Sequence, residues 1–234
     1  MAKIAVITGA SQGIGRALSY HLGRTGYKVV AGARSRDKLD SVVEGINNAG
    51  GDALALRLDV SDPDSIDNFN QEVEMLGTPS LLINNAGIGR FGPTDEVSLE
   101  DWDIQLNTNL RGAFLVSKAF LPKMKRSQKG AIVFINSVAG IQPFSQSAAY
   151  VASKFGLRGF ASALREELRE YNIKVISVHP GAVNTPFWET VPGDFPTEDM
   201  LDMDTLSENI VQNIQSSGSL TVEEMVIRRV AGDF

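Results

Sequence analysis

"KIAVITGASQGIG", residues 3–15, opens as an apolar, strand-like run. It stops at once in a turn carrying glycines at 9, 13 and 15, and helical spacing begins there. A strand, a glycine turn and a helix in that order form the setting in which a dinucleotide pyrophosphate is held. Glycine permits the tight turn and the close approach of backbone to phosphate, and the helix N-terminus offers free N–H groups and a positive dipole end. The spacing here is G-x-x-x-G-x-G rather than G-x-G-x-x-G. Gly9, Ser11, Gln12, Gly13, Ile14 and Gly15 are the candidate contacts of this turn. The letters Gly9 to Gly13 also satisfy G-x-S-x-G, the strand-to-helix elbow of a serine hydrolase. That elbow needs an oxyanion loop from an earlier strand and a later acid and histidine. Almost nothing precedes residue 9, and the one downstream histidine, His179, ends an apolar strand, where a structural role is expected.

Outward from this turn, Val/Ile/Leu-rich runs recur at 28–33, 53–60, 80–86, 130–136, 173–180 and 223–229. Segments with helical spacing lie between them at 36–49, 63–76, 99–125 and 148–171, after a first helix over 13–25. Strands alternating with helices imply right-handed crossovers and a parallel sheet, and continuously apolar strands imply a sheet covered on both sides. The expectation is a single doubly wound (Rossmann) α/β domain over 1–234, with about seven parallel strands and helices on both faces. The interval 184–204, with three prolines and an acidic tail, has no strand pattern and is expected to be a substrate loop or lid.

Composition narrows the function classes. The chain has 234 residues, a net charge of −6 and no cysteine. Acidity without a basic run gives no reason to expect nucleic acid or anionic lipid as a partner, and the Lys123–Lys129 cluster reads as a solvated helix end. Without cysteine there is no disulfide, thiolate nucleophile or thiolate metal site, and two histidines exclude a His-rich zinc centre. No stretch approaches the roughly 18 apolar residues of a membrane span. A cytoplasmic protein with no metal is expected.

The end of the second strand selects the cofactor. About twenty residues past the glycines an NAD enzyme places an acid for the ribose 2′-hydroxyl. Here "AGARSRDK" puts Arg34 at that point, with no acid before Asp37. A guanidinium there pairs with a 2′-phosphate, which favours NADP(H) over NAD, and Ser35 and Arg36 are candidate helpers.

Taken with the first turn, "LDVSD" (58–62), "INNAGIG" (83–89), "NTNLRGAF" (107–114), "INSVAG" (135–140), "YVASK" (150–154) and "HPGAVNTPF" (179–187) resemble the short-chain dehydrogenase/reductase family in order and interval. The resemblance covers about residues 3–187. It implies hydride transfer between NADP(H) and a carbonyl/alcohol pair, in which Ser137 orients the carbonyl, Tyr150 is the general acid or base, and Lys154 holds the nicotinamide ribose. Asn109 would complete the set, with Asn107 as an alternative helix cap. Asp59 and Val60 would border the adenine, Asn85, Ala86 and Gly87 its ribose, and Pro180, Gly181, Val183 and Thr185 the carboxamide. Lys154, one helical turn from Tyr150, is expected to lower the phenol from about 10 towards neutrality.

Phe91, Phe144, Phe187 and Trp188 are candidates for an apolar substrate pocket. The chain departs from the family at Gln12, where a basic residue often supplements NADP binding, and at its C-terminus, which lacks a Gly-rich ending. A homodimer through the helices at 99–125 and 148–171 is expected, with a tetramer as the second reading, and the substrate is a small carbonyl or alcohol, with a 3-oxoacyl thioester, a 3-hydroxy acid, a sugar and a small aldehyde or ketone all compatible. The competing reading of different class is an NADP-binding regulatory protein without chemistry.

Overall fold

The computed structural model of the chain describes residues 3–191, 193, 195–215 and 220–232. Seven strands form one parallel sheet in the order β3-β2-β1-β4-β5-β6-β7. They are β1 Lys3–Thr8, β2 Tyr27–Ala33, β3 Asp52–Arg57, β4 Leu81–Asn84, β5 Gly130–Ile135, β6 Ile173–Pro180 and β7 Glu224–Ile227. The order reverses beside β1, so the crevice between the turns after β1 and β4 is where a doubly wound sheet binds ligands.

Side chains alternate across each strand and build two cores. Ala5 and Ile7 of β1 pack with α1 (Gly13–Arg24), α2 (Arg36–Asn48) and α7 (Met203–Ile214) through Leu18, Leu39 and Ile210. Ile4 and Val6 face the other way, towards Phe69 of α3 (Pro63–Leu76), Phe120 of α5 (Ala113–Ser127) and Leu164 of α6 (Ala148–Leu168). Both faces are therefore apolar, as the sequence pattern requires.

Several boundaries differ from the sequence reading, and four of the differences shape the site and its surroundings. β4 stops at Asn84, because the N–H groups of Asn85 and Ala86 donate to Thr8 Oγ1, both at 3.0 Å, instead of extending the ladder. β3 stops at Arg57, and the Asp59 N–H turns to Ser65 Oγ at 2.9 Å. The helix expected over 99–125 is three pieces: α4 (Leu99–Leu106), a π-helical turn (Asn107–Gly112) and α5. Finally, 184–204 is not irregular to its end. The acidic tail contains an N-cap, Asp202, whose Oδ1 accepts from Thr205 N at 2.7 Å and starts α7, a helix the sequence reading did not identify.

The interval after β6 holds two short 3₁₀ turns, Pro186–Thr190 and Thr197–Asp199. Its ends are drawn together by the parallel bridge Val183↔Leu201, with Asn184 N donating to Leu201 O at 3.0 Å and Leu201 N to Ala182 O at 2.8 Å. Asp199 is further tied to Arg229 beyond β7 at 2.8 Å. Positions 192 and 194 of this interval lie outside the described residues.

Candidate active site

A cavity of about 760 Å³ opens at the carboxyl ends of the strands. The glycine turn forms one wall. Gly9 and Gly13 have φ of 65° and 56°, which side chains with a Cβ rarely adopt, and a Cβ on Gly9 would lie 2.8 Å from Ala86 Cα. Asn85 latches this turn: its Nδ2 donates to Thr8 O at 2.9 Å and Gly9 O at 3.2 Å. A Cβ on Gly15 would strike that Asn85 amide and the Gly9 carbonyl. Gly15 therefore serves helix packing and does not line the cavity, unlike Gly9, Ser11, Gln12, Gly13 and Ile14.

Arg34 and Ser35, exposed after β2, line the same end. Arg36 does not: its guanidinium is bound to Asp40 at 2.9 Å and to the Ala55 carbonyl at 3.3 Å, which removes it as a phosphate helper. A cation that sequence reasoning passed over stands nearby, since Lys38 Nζ donates to Gln12 Oε1 at 3.0 Å. The four-residue step from Arg34 to Lys38, at the start of a helix, was the available signal. Asp59 and Val60 also line the cavity. Partial burial works to raise Asp59, but the hydroxyl and N–H of Ser61 and the charges of Arg34 and Arg57 outweigh it, so its carboxyl sits below the ordinary range.

The opposite end is built by β5, β6 and α6. Ser137 follows β5, and its Oγ caps the short 3₁₀ turn Val138–Gly140 by accepting from Ala139 N at 3.1 Å. Tyr150 and Lys154 sit one turn apart on α6, and Tyr150 and Ser137 line the same cavity. Lys154 Nζ donates to Ile135 O at 3.1 Å and lies 5.6 Å from the centre of the Tyr150 ring. This geometry corrects the expected electrostatics. Desolvation pushes the half-buried Tyr150 up to about 12, with the Ser137 side chain pulling the other way, and burial pushes Lys154 down to about 8. The ammonium meets the Tyr150 ring and the Ile135 carbonyl, and at both groups loss of water is the larger effect.

Asn109 is buried, whereas Asn107 is exposed. Asn109 Oδ1 accepts from Ile88 N at 2.8 Å, and its Nδ2 donates to Ile88 O at 2.9 Å and Ser153 Oγ at 3.0 Å. Ser153 Oγ in turn donates to Tyr150 O at 2.7 Å. Asn109 does not line the cavity; it ties the π turn to the loop after β4 and to the helix carrying Tyr150. Two further residues escaped the sequence reading, Ser153 and the buried Asn136. Asn136 Oδ1 accepts from Ser137 N at 3.0 Å, and its Nδ2 donates to Lys154 O at 3.2 Å. His179 is less passive than expected: a ring nitrogen meets the Ser137 carbonyl at 3.1 Å, burial lowers its pKa, and its Nε2 has no partner among the described residues.

Ala86, Gly87, Pro180, Gly181, Val183 and Thr185 all face the cavity. So do Phe91, Phe144, Phe187 and Trp188, joined by Phe195, which the sequence reading did not name. Among the described residues, no helix is long and apolar enough to cross a membrane.

Comparison with known proteins agrees with this layout. Residues 3–194 match the family model described as short chain dehydrogenase. The sepiapterin reductase of Chlorobaculum tepidum is 34% identical over all of this chain and 98% of its own length. A solved alcohol dehydrogenase from the archaeon Thermococcus sibiricus, complexed with 5-hydroxy-NADP, superposes with a TM-score of 0.90 at 31% identity, covering 97% of both chains. A metagenomic short-chain oxidoreductase in complex with NADP gives 0.85 at 33% identity, again over 97% of both chains.

Proposed function

Because the chain belongs to the short-chain dehydrogenase/reductase family, we propose that this oxidoreductase uses NADP(H) to interconvert a carbonyl compound and its alcohol, with Tyr150 as the proton donor in reduction. One observation carries the reading: Ser137, Tyr150 and Lys154 share one cavity with the glycine turn and Arg34, the Lys154 ammonium lying 5.6 Å from the centre of the Tyr150 ring.

The residues present fit the dinucleotide. Gly13 lines the cavity at a positive φ with only the Thr185 side chain near where a Cβ would stand, at 3.7 Å, and Arg34 stands exposed at the cavity's β2 end, where it can meet a 2′-phosphate. Gly9, Ser11, Gln12, Gly13 and Ile14 would hold the pyrophosphate, and Arg34 with Ser35 the 2′-phosphate. Asp59, Val60, Asn85, Ala86 and Gly87 would hold the adenosine, and Lys154, Pro180, Gly181, Val183 and Thr185 the nicotinamide end. When bound, NADPH supplies the hydride and leaves as NADP⁺. Ser137 holds the carbonyl oxygen, and Tyr150 donates its proton to that oxygen as charge develops there, regaining one from water afterwards. A phenol held near 12 stays protonated at neutral pH, which suits the acid needed for reduction.

The chain acts as a single domain in this reading, with the interval after β6 closing over substrate. Exposed Phe114 (44%) on α5 and Phe155 (42%) on α6 favour a homodimer across those helices. A panel of ketones and aldehydes assayed in both directions, with NADPH and with NADH, tests the proposal. NADPH-dependent reduction that Tyr150→Phe abolishes supports it. Cofactor binding with no turnover across the panel overturns it.

A further inference from the structure

Five aromatic rings form a continuous array on one side of the cavity. Tyr150 lies 5.4 Å from Phe91 and 5.9 Å from Phe187 between ring centres, and Phe91 and Phe187 are 6.1 Å apart, closing a triangle around the acid. Phe187 then meets Trp188 at 5.6 Å, and Trp188 meets Phe195 at 4.7 Å. All five line the cavity and none is fully buried, so each keeps surface for a guest.

The polar inventory at this end is short. The Trp188 indole N–H is already bonded to Val183 O at 2.9 Å, leaving the ring to act as an apolar surface. Formal charge on the cavity's described lining is confined to Arg34 and Asp59, on the β2–β3 flank, to buried Lys154, and to Arg90 at the rim. Arg90 donates to Gly89 O at 3.1 Å and stands 3.7 Å from the Asp101 carboxylate, so its charge is partly offset within the protein. A substrate carboxylate or phosphate placed among these rings would lose water and meet, on the described lining, only Lys154, bonded to Ile135 O, and Arg90, beside Asp101.

We propose that the substrate is an uncharged carbonyl compound bearing an aryl ring, its carbonyl on Ser137 and Tyr150 and its ring in the array of Phe91, Phe187, Trp188 and Phe195. This rests on the reductase reading and narrows it. The Phe91–Phe187 and Phe187–Trp188 pairs are T-shaped, at 78° and 82°, so the array offers both ring edges and ring faces. A flat π system meets the complementary quadrupole in either orientation, whereas a saturated ring of the same size gains only contact area.

The test compares four carbonyl compounds with NADPH: 4-phenyl-2-butanone, its cyclohexyl counterpart 4-cyclohexyl-2-butanone, the charged 4-phenyl-2-oxobutanoate, and an acetoacetyl thioester. The phenyl ketone should exceed the cyclohexyl ketone in kcat/KM by about tenfold, and should also exceed the acid and the thioester. Phe187→Leu and Trp188→Leu should each shrink the phenyl-to-cyclohexyl ratio, with retained NADPH binding showing that the variants are folded. Calorimetric titration of the two neutral ketones into the NADP⁺-saturated protein should give the same order without turnover. A phenyl-to-cyclohexyl ratio near one, or preference for the acid or thioester, overturns the aromatic site while leaving the reductase reading intact. If no compound is turned over, the reductase reading fails, and the calorimetric order alone decides the aryl site.

Discussion

Lys154 Nζ donates to the backbone carbonyl of Ile135, the last residue of β5, at 3.1 Å, so the buried ammonium and the strand end that presents Ser137 are joined directly. The bond compensates only part of the cost of burying the charge, because the ammonium is still held at about 8 against an ordinary 10.5.

That depression has a defined sign. Between about pH 8 and 10.5 the unfolded chain binds more protons than the folded one, so Lys154 makes stability rise with pH across this window and exacts its full penalty below it. The penalty is up to about 3 kcal/mol, from which the lost bond to Ile135 must be subtracted. Lys154→Met is therefore expected to raise the thermal midpoint at pH 7 while abolishing turnover. Melting curves at pH 7 and 10 should show the gain shrinking at the higher pH; an equal gain at both would mean that charge burial is not the cause.

The same value sets an alkaline limit on activity. Tyr150, near 12, stays protonated throughout the usable range, so kcat/KM for NADPH, which reports the free enzyme, should decline through about pH 8 as Lys154 discharges. A limb near 10 would instead mark Tyr150 as an ordinary phenol.

Tyr150→Phe removes the acid and keeps the ring packed against Phe91 and Phe187. Turnover should fall by roughly a hundredfold or more, with NADPH affinity changed only a few-fold. Ser137→Ala should depress kcat as well, through loss of the hydroxyl on the carbonyl. Stopped-flow single turnovers with wild-type amplitude and rate in Tyr150→Phe would remove tyrosine from the mechanism.

In the proposed reading Arg34 holds the 2′-phosphate, with Lys38 bonded to Gln12 nearby. Arg34→Asp replaces a charge-assisted contact with repulsion and supplies an acceptor for the ribose hydroxyl of NAD. NADPH affinity should drop by about two orders of magnitude while NADH holds or improves. Lys38→Met should weaken NADPH by less, about threefold to tenfold, because it acts on the turn through the Gln12 amide. Fluorescence titrations with both nucleotides separate this from misfolding, in which both would be lost together.

Asn109→Ala leaves the Ile88 N–H and C=O and the Ser153 hydroxyl without their shared partner. A cost of about 1–3 kcal/mol is expected, together with a lower kcat, since Ser153 also holds the Tyr150 carbonyl. Chemical denaturation and steady-state kinetics should move together; a stability loss with unchanged kcat would confine Asn109 to scaffolding.

The amino-acid order alone determined the strand and helix alternation, the parallel sheet and the glycine turn, because these depend on local periodicity and on residue types at fixed spacings, whereas Ser137, Tyr150 and Lys154 were singled out by family resemblance. Tertiary structure decided the rest, because the deciding partners are remote in sequence. β4 ended early through Thr8, 77 and 78 positions from the N–H groups it receives. The long helix broke at a turn where Asn109 binds a loop 21 residues away. Arg36 reads in sequence as a phosphate helper and Lys38 does not, yet Asp40 and Ala55 hold Arg36 while Lys38 meets Gln12. The Tyr150 pKa could not be read from its four-residue spacing to Lys154, because spacing specifies nearness, whereas desolvation depends on every atom that the fold brings around both groups.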